Sequence, residues 1–243
     1  MIPALPDRAT WRIKLFADGA DQATMLSLAR EKKVQGFTTN PTLMRQAGVT
    51  DYRAFSKALL AEIKDVPVSF EVFADELDEM GRQAKEIAGW GKNVNVKIPV
   101  TNTKGVSTAP LVEKLAKEKV SMNVTGVFSL AQVATVAKAL AGGPPSICSV
   151  FAGRIADTGR DPVPHMKAAV ALCAGIDPKI EVLWASPREA LNVLHAEEAG
   201  CHIITVQPDL LKKVAGFGKG LEQFSLETVQ MFRRDAEAAG YVL

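Results

Sequence analysis

The stretch N-V-N-V-K-I-P-V, residues 93–100, carries a lysine where a buried strand has little use for a charge. Val94, Val96, Ile98 and Val100 read as the apolar side of a strand covered by helices, while Asn95 and Lys97 share the opposite side. An unpaired ammonium in a protein interior costs several kcal/mol or sheds its proton, so such a lysine is paired, misassigned or chemically employed. Other strand-like runs also end in polar residues. Asp18 closes the first, Thr38, Thr39 and Asn40 the second, and Glu71 lies on the third. Asn123 and Thr125 lie on the fifth, Ser149 on the sixth with Arg154 just beyond it, and Ser186 and Arg188 follow the seventh. Ser69 and Glu71, Asn95 and Lys97, Asn123 and Thr125, and Ser149 and Phe151 are each two residues apart, so each pair shares one face of its strand.

The elements that must hold these residues are short apolar runs alternating with helical patterns. Eight runs read as strands: residues 12–19, 36–40, 66–75, 94–100, 120–128, 146–153, 180–186 and 202–207. Between them, D-Q-A-T-M-L-S-L-A-R-E-K-K (21–33), D-E-L-D-E-M-G-R-Q-A-K-E-I-A (75–88) and P-R-E-A-L-N-V-L-H-A-E-E-A-G (187–200) have helical periodicity. Asp21 and Asp75 are candidate N-caps, and Gly175 and Gly200 stand where helices should stop. Eight β–α alternations in 243 residues suit one TIM (β/α)8 barrel spanning residues 1–243. C-terminal helices are expected from about residue 208, with G-F-G-K-G (216–220) between two short ones. A doubly wound sheet is the competing architecture, but G-x-G-x-x-G and G-x-x-x-x-G-K-[ST] are both absent. In a barrel, chemistry belongs at the carboxyl ends of the strands, the rim on which the polar residues fall.

Composition narrows the class of partner. The chain is 47% hydrophobic and 23% charged, with a formal net charge of +2. That balance predicts no field strong enough for nucleic acid, although local cationic pockets for phosphate remain open. Cys148, Cys173 and Cys201 are odd in number and have no C-x-x-C spacing, so neither a disulfide framework nor a zinc site is expected. A reducing cytoplasm fits this pattern. The start M-I-P-A-L-P-D-R lacks the basic and apolar regions of a signal peptide, and no run reaches membrane-spanning length, so no membrane association is expected. His165, His195 and His202 have no triad or metal spacing and are assigned no catalytic role.

The segments A-D-G, T-T-N-P-T, E-V, N-V-K-I-P, N-V-T-x-x-F-S-x-x-Q, S-V-F-A-G-R-I-x-D and A-S-P-R follow one another along most of the chain. In this order they resemble the transaldolase family, which comprises transaldolases proper and the smaller fructose-6-phosphate aldolases. The resemblance implies a TIM barrel, Schiff-base aldol chemistry, and neither a metal nor another cofactor. It implies that Lys97 is the Schiff-base lysine, that Asp18 and Glu71 are the acid–base carboxylates, and that Thr125 helps Glu71 hold a catalytic water. Asn40 and Asn123 would hold substrate hydroxyls, and Arg154, Ser186 and Arg188 the phosphate; Thr38, Ser149 and Phe151 would complete the binding surface. One departure is Pro187, where an aromatic is common. Phe151 matches transaldolases, whereas the aldolases have tyrosine there.

The residue types suit that chemistry. An amine attacks a ketone only when neutral, and apolar neighbours such as Val96 and Ile98 are expected to favour the neutral form. A carboxylate taking the proton of the C4 hydroxyl would then trigger carbon–carbon cleavage, with Asp18 the candidate base. Arg154 and Arg188 offer planar forks that match phosphate oxygens. The expected substrates are sugar phosphates such as sedoheptulose 7-phosphate or fructose 6-phosphate, and a homo-oligomer is compatible with the reading. Blander uses stand beside these: Lys97 as an edge residue, Glu71 as half of an ion pair, Asp18 as a helix cap. Two other functions stay open: an aldolase that releases the three-carbon unit, and a non-catalytic sugar-phosphate binding protein.

Overall fold

Runs of β-branched and aromatic residues, punctuated by Gly, Pro and Asp, make strands that alternate with amphipathic helices. In a computed structural model that describes residues 10–242, the chain begins with β1 (Lys14–Asp18), α1 (Gln22–Arg30) and β2 (Gly36–Thr38). The segment read above for a signal peptide, M-I-P-A-L-P-D-R, lies outside the described residues. Two helices follow, α2 (Pro41–Gln46) and α3 (Tyr52–Glu62), then β3 (Val68–Glu71), α4 (Leu77–Ala88) and β4 (Val94–Pro99). Next come α5 (Ala109–Lys117), β5 (Met122–Val127), α6 (Leu130–Leu140), β6 (Ser146–Val150), α7 (Ala152–Ala156) and α8 (Pro162–Ile176). The chain then runs through β7 (Ile180–Trp184), α9 (Asn192–Glu198), β8 (Ile203–Val206), α10 (Pro208–Val214) and α11 (Leu221–Ala238). The eight strands pair in parallel, in chain order, and close through β1 and β8 into the expected TIM (β/α)8 barrel.

Period-two alternation divides the core. Outward residues, including Phe70, Val96, Ile98 and Val124, pack against helix residues such as Leu59, Met80, Leu115 and Val133 in one continuous cluster. Each such side chain contributes roughly 1.5–3 kcal/mol when fully buried. Inward residues behave differently on the two halves of the barrel. Phe16, Ile147, Leu183 and Ile203 form an apolar plug from β1, β6, β7 and β8. On β3, β4 and β5 the inward parity carries Ser69, Glu71, Lys97, Asn123 and Thr125 instead. The plug fills only part of its half, since Asp18, Ser149 and Thr205 on β1, β6 and β8 also face the interior, while β3, β4 and β5 present polar residues there.

The helix caps follow the sequence in part. Asp21 caps α1, its carboxylate accepting from the Thr24 N–H at 2.9 Å. Gly200 has φ of 75° just after α9, a left-handed ending that glycine adopts without strain. Asp75 does not cap α4; it accepts from the N–H and Oγ1 of Thr103, each at 2.7 Å, and ties two loops of the rim together. Gly175 does not end a helix either, since α8 continues to Ile176 and is closed by Asp177. The helical pattern at residues 187–200 starts late, because the Asn192 side chain accepts from the N–H groups of Arg188 and Glu189 at 2.8 and 3.2 Å and holds them outside the helix. Beyond G-F-G-K-G the last helix is long: α11 has 18 residues, none of them buried, with Phe224, Val229 and Phe232 exposed.

One glycine decides how the sixth and seventh rim segments meet. A Cβ on Gly153 would lie 1.5 Å from the Ser186 carbonyl oxygen, so only glycine lets α7 approach β7 this closely. Overpacking of this kind costs about 1–3 kcal/mol or more, and each kcal/mol moves Tm by about 2–4 °C in a chain of this size. Gly153→Ala is thus expected to lower Tm by at least about 2 °C in a circular-dichroism melt. Gly175→Ala, whose Cβ meets open space within α8, should leave Tm unchanged or raise it. Equal melts for the two variants would contradict this account of the close approach.

Candidate active site

Parallel register brings the polar residues together. Asp18 pairs with Thr38 across β1 and β2, Glu71 with Lys97 across β3 and β4, and Lys97 with Asn123 across β4 and β5. Because paired residues on parallel strands share a face, the three charged side chains point into the barrel near its carboxyl end. Lys97 is 8% exposed. Its amine donates to the Thr39 carbonyl at 2.9 Å and lies 3.3 Å from Glu71 Oε2. The lysine is therefore paired and also faces a cavity of about 470 Å3 lined by Asp18, Glu71, Lys97, Thr125, Phe151 and Arg154, among others. Val96 and Ile98, the apolar neighbours expected to favour the neutral amine, face the helices, and the amine itself is bounded by polar groups.

Asp18 is held by β2. Thr38 Oγ1 donates to its Oδ1 at 2.8 Å, and Asn40 Nδ2 stands 3.5 Å from its Oδ2. Thr205 Oγ1 on β8 is 2.5 Å from Thr38 Oγ1; with the single Thr38 proton directed at the carboxylate, Thr205 is the donor to Thr38. Burial pushes the Asp18 carboxyl above its ordinary range, while the Lys97 charge and the bonds from Thr38 and Asn40 pull it down. Its use as a helix cap is excluded, since Asp21 holds that position.

Beyond Lys97 the fifth strand is irregular. Its pairing with β6 slips between Val124 and Val127, where Gly126 takes φ of 72°. A bulge at such a place re-aims a neighbouring side chain. Thr125 borders the cavity with a buried Oγ1 that has no hydrogen-bond partner among the described residues. Asn123 lies deeper: its amide donates to Ser69 Oγ at 3.1 Å and its oxygen accepts from Ser149 Oγ at 2.6 Å, so both ends are engaged by protein. Asn40 is also partly committed, because its Oδ1 caps α2 by accepting from the Leu43 N–H at 3.0 Å.

The far end of the cavity is aromatic and cationic. The Phe151 ring packs against Phe128, centroids 5.6 Å apart, and the Arg154 guanidinium lies 5.3 Å from the Phe151 centroid. Ser186, with φ of 57°, and Pro187 line the wall. Arg188 reaches the same cavity, but its Nε and Nη2 bond to Asp157, whose carboxyl is held below its usual range by Arg188 and, less strongly, by Arg154. Sequence reasoning included Asp157 in S-V-F-A-G-R-I-x-D without giving it a role, and it passed over Thr205 and Gln207, which line the cavity. Thr205 had a usable signal, since it shares inward parity with Ile203. Among the described residues no cluster of three or more potential metal ligands occurs.

A lysine amine and two carboxylates thus meet at the carboxyl rim of a closed (β/α)8 barrel, the end at which barrel enzymes carry their sites. Residues 15–242 match the family model described as Transaldolase/Fructose-6-phosphate aldolase, and the chain belongs to that family. A probable transaldolase of Dehalococcoides mccartyi is 34% identical over 202 residues, covering 83% of this chain and 90% of the relative. Probable transaldolase 2 of Listeria monocytogenes is 33% identical, with 88% of this chain and 98% of the relative covered. Among solved structures, a monomeric dihydrodipicolinate synthase variant superposes with a TM-score of 0.56 at 10% identity, covering 98% of this chain and 85% of that one. A putative phosphonomutase from Burkholderia cenocepacia gives 0.57 at 11% identity, covering 90% and 94%. These two likenesses are of fold alone.

The environment of Asp18 has a consequence for stability. Its folded pKa is raised above the ordinary 3.8, so the protonated form favours the fold below that value and the advantage is lost as pH rises through the folded pKa. As that advantage is lost, burial of the carboxyl weakens the fold relative to a neutral side chain of the same shape. Asp18→Asn is expected to melt progressively higher than the wild type as pH goes from acid to neutral. A Tm difference that does not change with pH would contradict this burial of charge.

Proposed function

We propose that the protein is a transaldolase: it moves a dihydroxyacetone unit from a ketose phosphate, such as sedoheptulose 7-phosphate or fructose 6-phosphate, to an aldose phosphate through a Schiff base on Lys97. The observation that carries this reading is the buried Lys97 amine, directed into a barrel-end cavity 3.3 Å from Glu71, with Asp18 on the same wall. A barrel that only bound sugar phosphates would have no use for such an amine. On this reading the neutral amine adds to the ketose carbonyl, and Glu71 takes and returns the proton as water leaves and the imine forms. The partnerless Thr125 hydroxyl suits it to hold the water that Glu71 works through.

Cleavage then needs a base for the C4 hydroxyl. Asp18 suits that task, because burial raises its proton affinity while the Thr38 and Asn40 contacts keep it oriented. The iminium draws in the electrons of the breaking carbon–carbon bond, leaving an enamine on Lys97. At the other end Arg154, Ser186 and Arg188 would receive the phosphate, Arg188 through the guanidinium N–H groups not engaged by Asp157. Asn123, tied to Ser69 and Ser149, would act on a substrate hydroxyl only from the cavity floor. The reading requires neither metal nor cofactor. It assigns the protein to the cytoplasm, in keeping with three cysteines that are free and buried.

Two experiments test it. Borohydride reduction in the presence of fructose 6-phosphate should add mass to the peptide containing Lys97 and to no other, and Lys97→Met should lose essentially all activity. An adduct on another lysine would end the Schiff-base reading. The second separates transferase from aldolase. A phenyl ring at position 151 offers no proton to the enamine and orders no water, whereas a tyrosine hydroxyl does either. Phe151→Tyr is expected to raise the release of free dihydroxyacetone without acceptor, relative to transfer to erythrose 4-phosphate. Wild-type protein that releases dihydroxyacetone as fast as it transfers it would favour the aldolase instead.

A further inference from the structure

The β2–β3 pairing ends early. It runs through Phe37–Val68 and Thr38–Ser69, and the Thr39 N–H still reaches the Ser69 carbonyl at 3.2 Å. Beyond it Asn40 caps α2, and Pro41 has no N–H to offer. On the other edge of β3, Val72 donates to the Lys97 carbonyl at 3.0 Å, so the backbone groups of Glu71, one residue earlier, face the side that β2 has left. There the Tyr52 hydroxyl takes over. It accepts from the Glu71 N–H at 2.7 Å and donates to the Glu71 carbonyl at 3.1 Å, supplying both partners that a neighbouring strand would have provided.

The phenol is itself held firmly. Tyr52 opens α3 directly after its cap Asp51, whose carboxylate accepts from the Ala54 N–H at 2.9 Å. Its ring meets Phe70, Phe73 and Trp90 edge-on, with centroids 6.1, 4.5 and 5.7 Å away. Burial raises its pKa further above the ordinary tyrosine value, so the hydroxyl keeps the proton that it donates. We propose that Tyr52 is a positioning residue for the reaction: by bridging both backbone groups of Glu71, it fixes that carboxylate against the Lys97 amine. The inference rests on the roles given above to Lys97 and Glu71. It makes a distinct demand, since Tyr52 would govern the proton transfers of imine formation and hydrolysis and not the cleavage step assigned to Asp18.

The test uses the full chain with fructose 6-phosphate as probe. Rapid-quench borohydride trapping follows adduct formation, and aldehyde release follows cleavage. Tyr52→Phe is expected to slow adduct formation about tenfold or more, displace the pH profile of kcat, leave KM within about twofold, and leave cleavage from the formed adduct unchanged. Added to Glu71→Gln, it should slow adduct formation no further. Equal loss in both steps, an unmoved pH profile, or a multiplicative loss in the double variant would make Tyr52 a merely structural residue and overturn the proposal. Wild-type protein that forms no Lys97 adduct would sink the Schiff-base reading itself, an outcome separate from these. If Tyr52→Phe does not fold, 3-fluorotyrosine in the wild-type chain carries the test, with Tyr241 the only other tyrosine to assign. The Tyr52 fluorine resonance should shift when the Lys97 adduct is trapped, and an unmoved resonance would overturn the proposal.

Discussion

Lys97 and Glu71 face each other because β3 and β4 are parallel and in register, and much of the site's geometry follows from that pairing. A slip of one residue between the two strands would carry Glu71 out among the helices and leave the amine without a carboxylate. Removing one partner of a buried ion pair costs about 3–5 kcal/mol, because the other charge is left without compensation. The pairing of this lysine therefore depends on one register between β3 and β4. Thr39 adds a carbonyl to the same amine, so three neighbouring strand ends converge on one nitrogen.

The division of the barrel interior makes this affordable in packing terms. On β1, β6, β7 and β8 the inward positions beneath the site are filled by Phe16, Ile147, Leu183 and Ile203, which give the cavity a dry floor on that side. With Lys97 buried and Asp18 desolvated by its surroundings, electrostatic effects between Asp18, Glu71 and Lys97 are less screened than they would be at the surface. The rim itself departs from regular structure where the side chains matter most. The β5 irregularity at Gly126 adjoins Thr125, and the left-handed backbone of Ser186 adjoins the close approach of Gly153. Arg188 adds a further constraint, because Asp157 holds its guanidinium in place at the rim.

What the sequence by itself determined is whatever has a local period or a local motif. Alternation at two residues identified all eight strands and the inward face of Glu71, Lys97, Asn123 and Thr125, and the count of β–α alternations identified the barrel. Asp21 and Gly200 were legible for the same reason, since a cap acts on the turn beside it. Asp75 and Gly175 were misread because cap-forming types also serve elsewhere: Asp75 binds a loop 28 residues away, and glycine is tolerated within the final turn of α8. Only the tertiary structure decided who partners whom. Tyr52 meets Glu71 across 19 residues, Arg188 meets Asp157 across 31, and Thr205 meets Thr38 across 167. Such contacts leave no period in the chain, because they are set by the closure of β8 on β1 and by where each strand happens to stop.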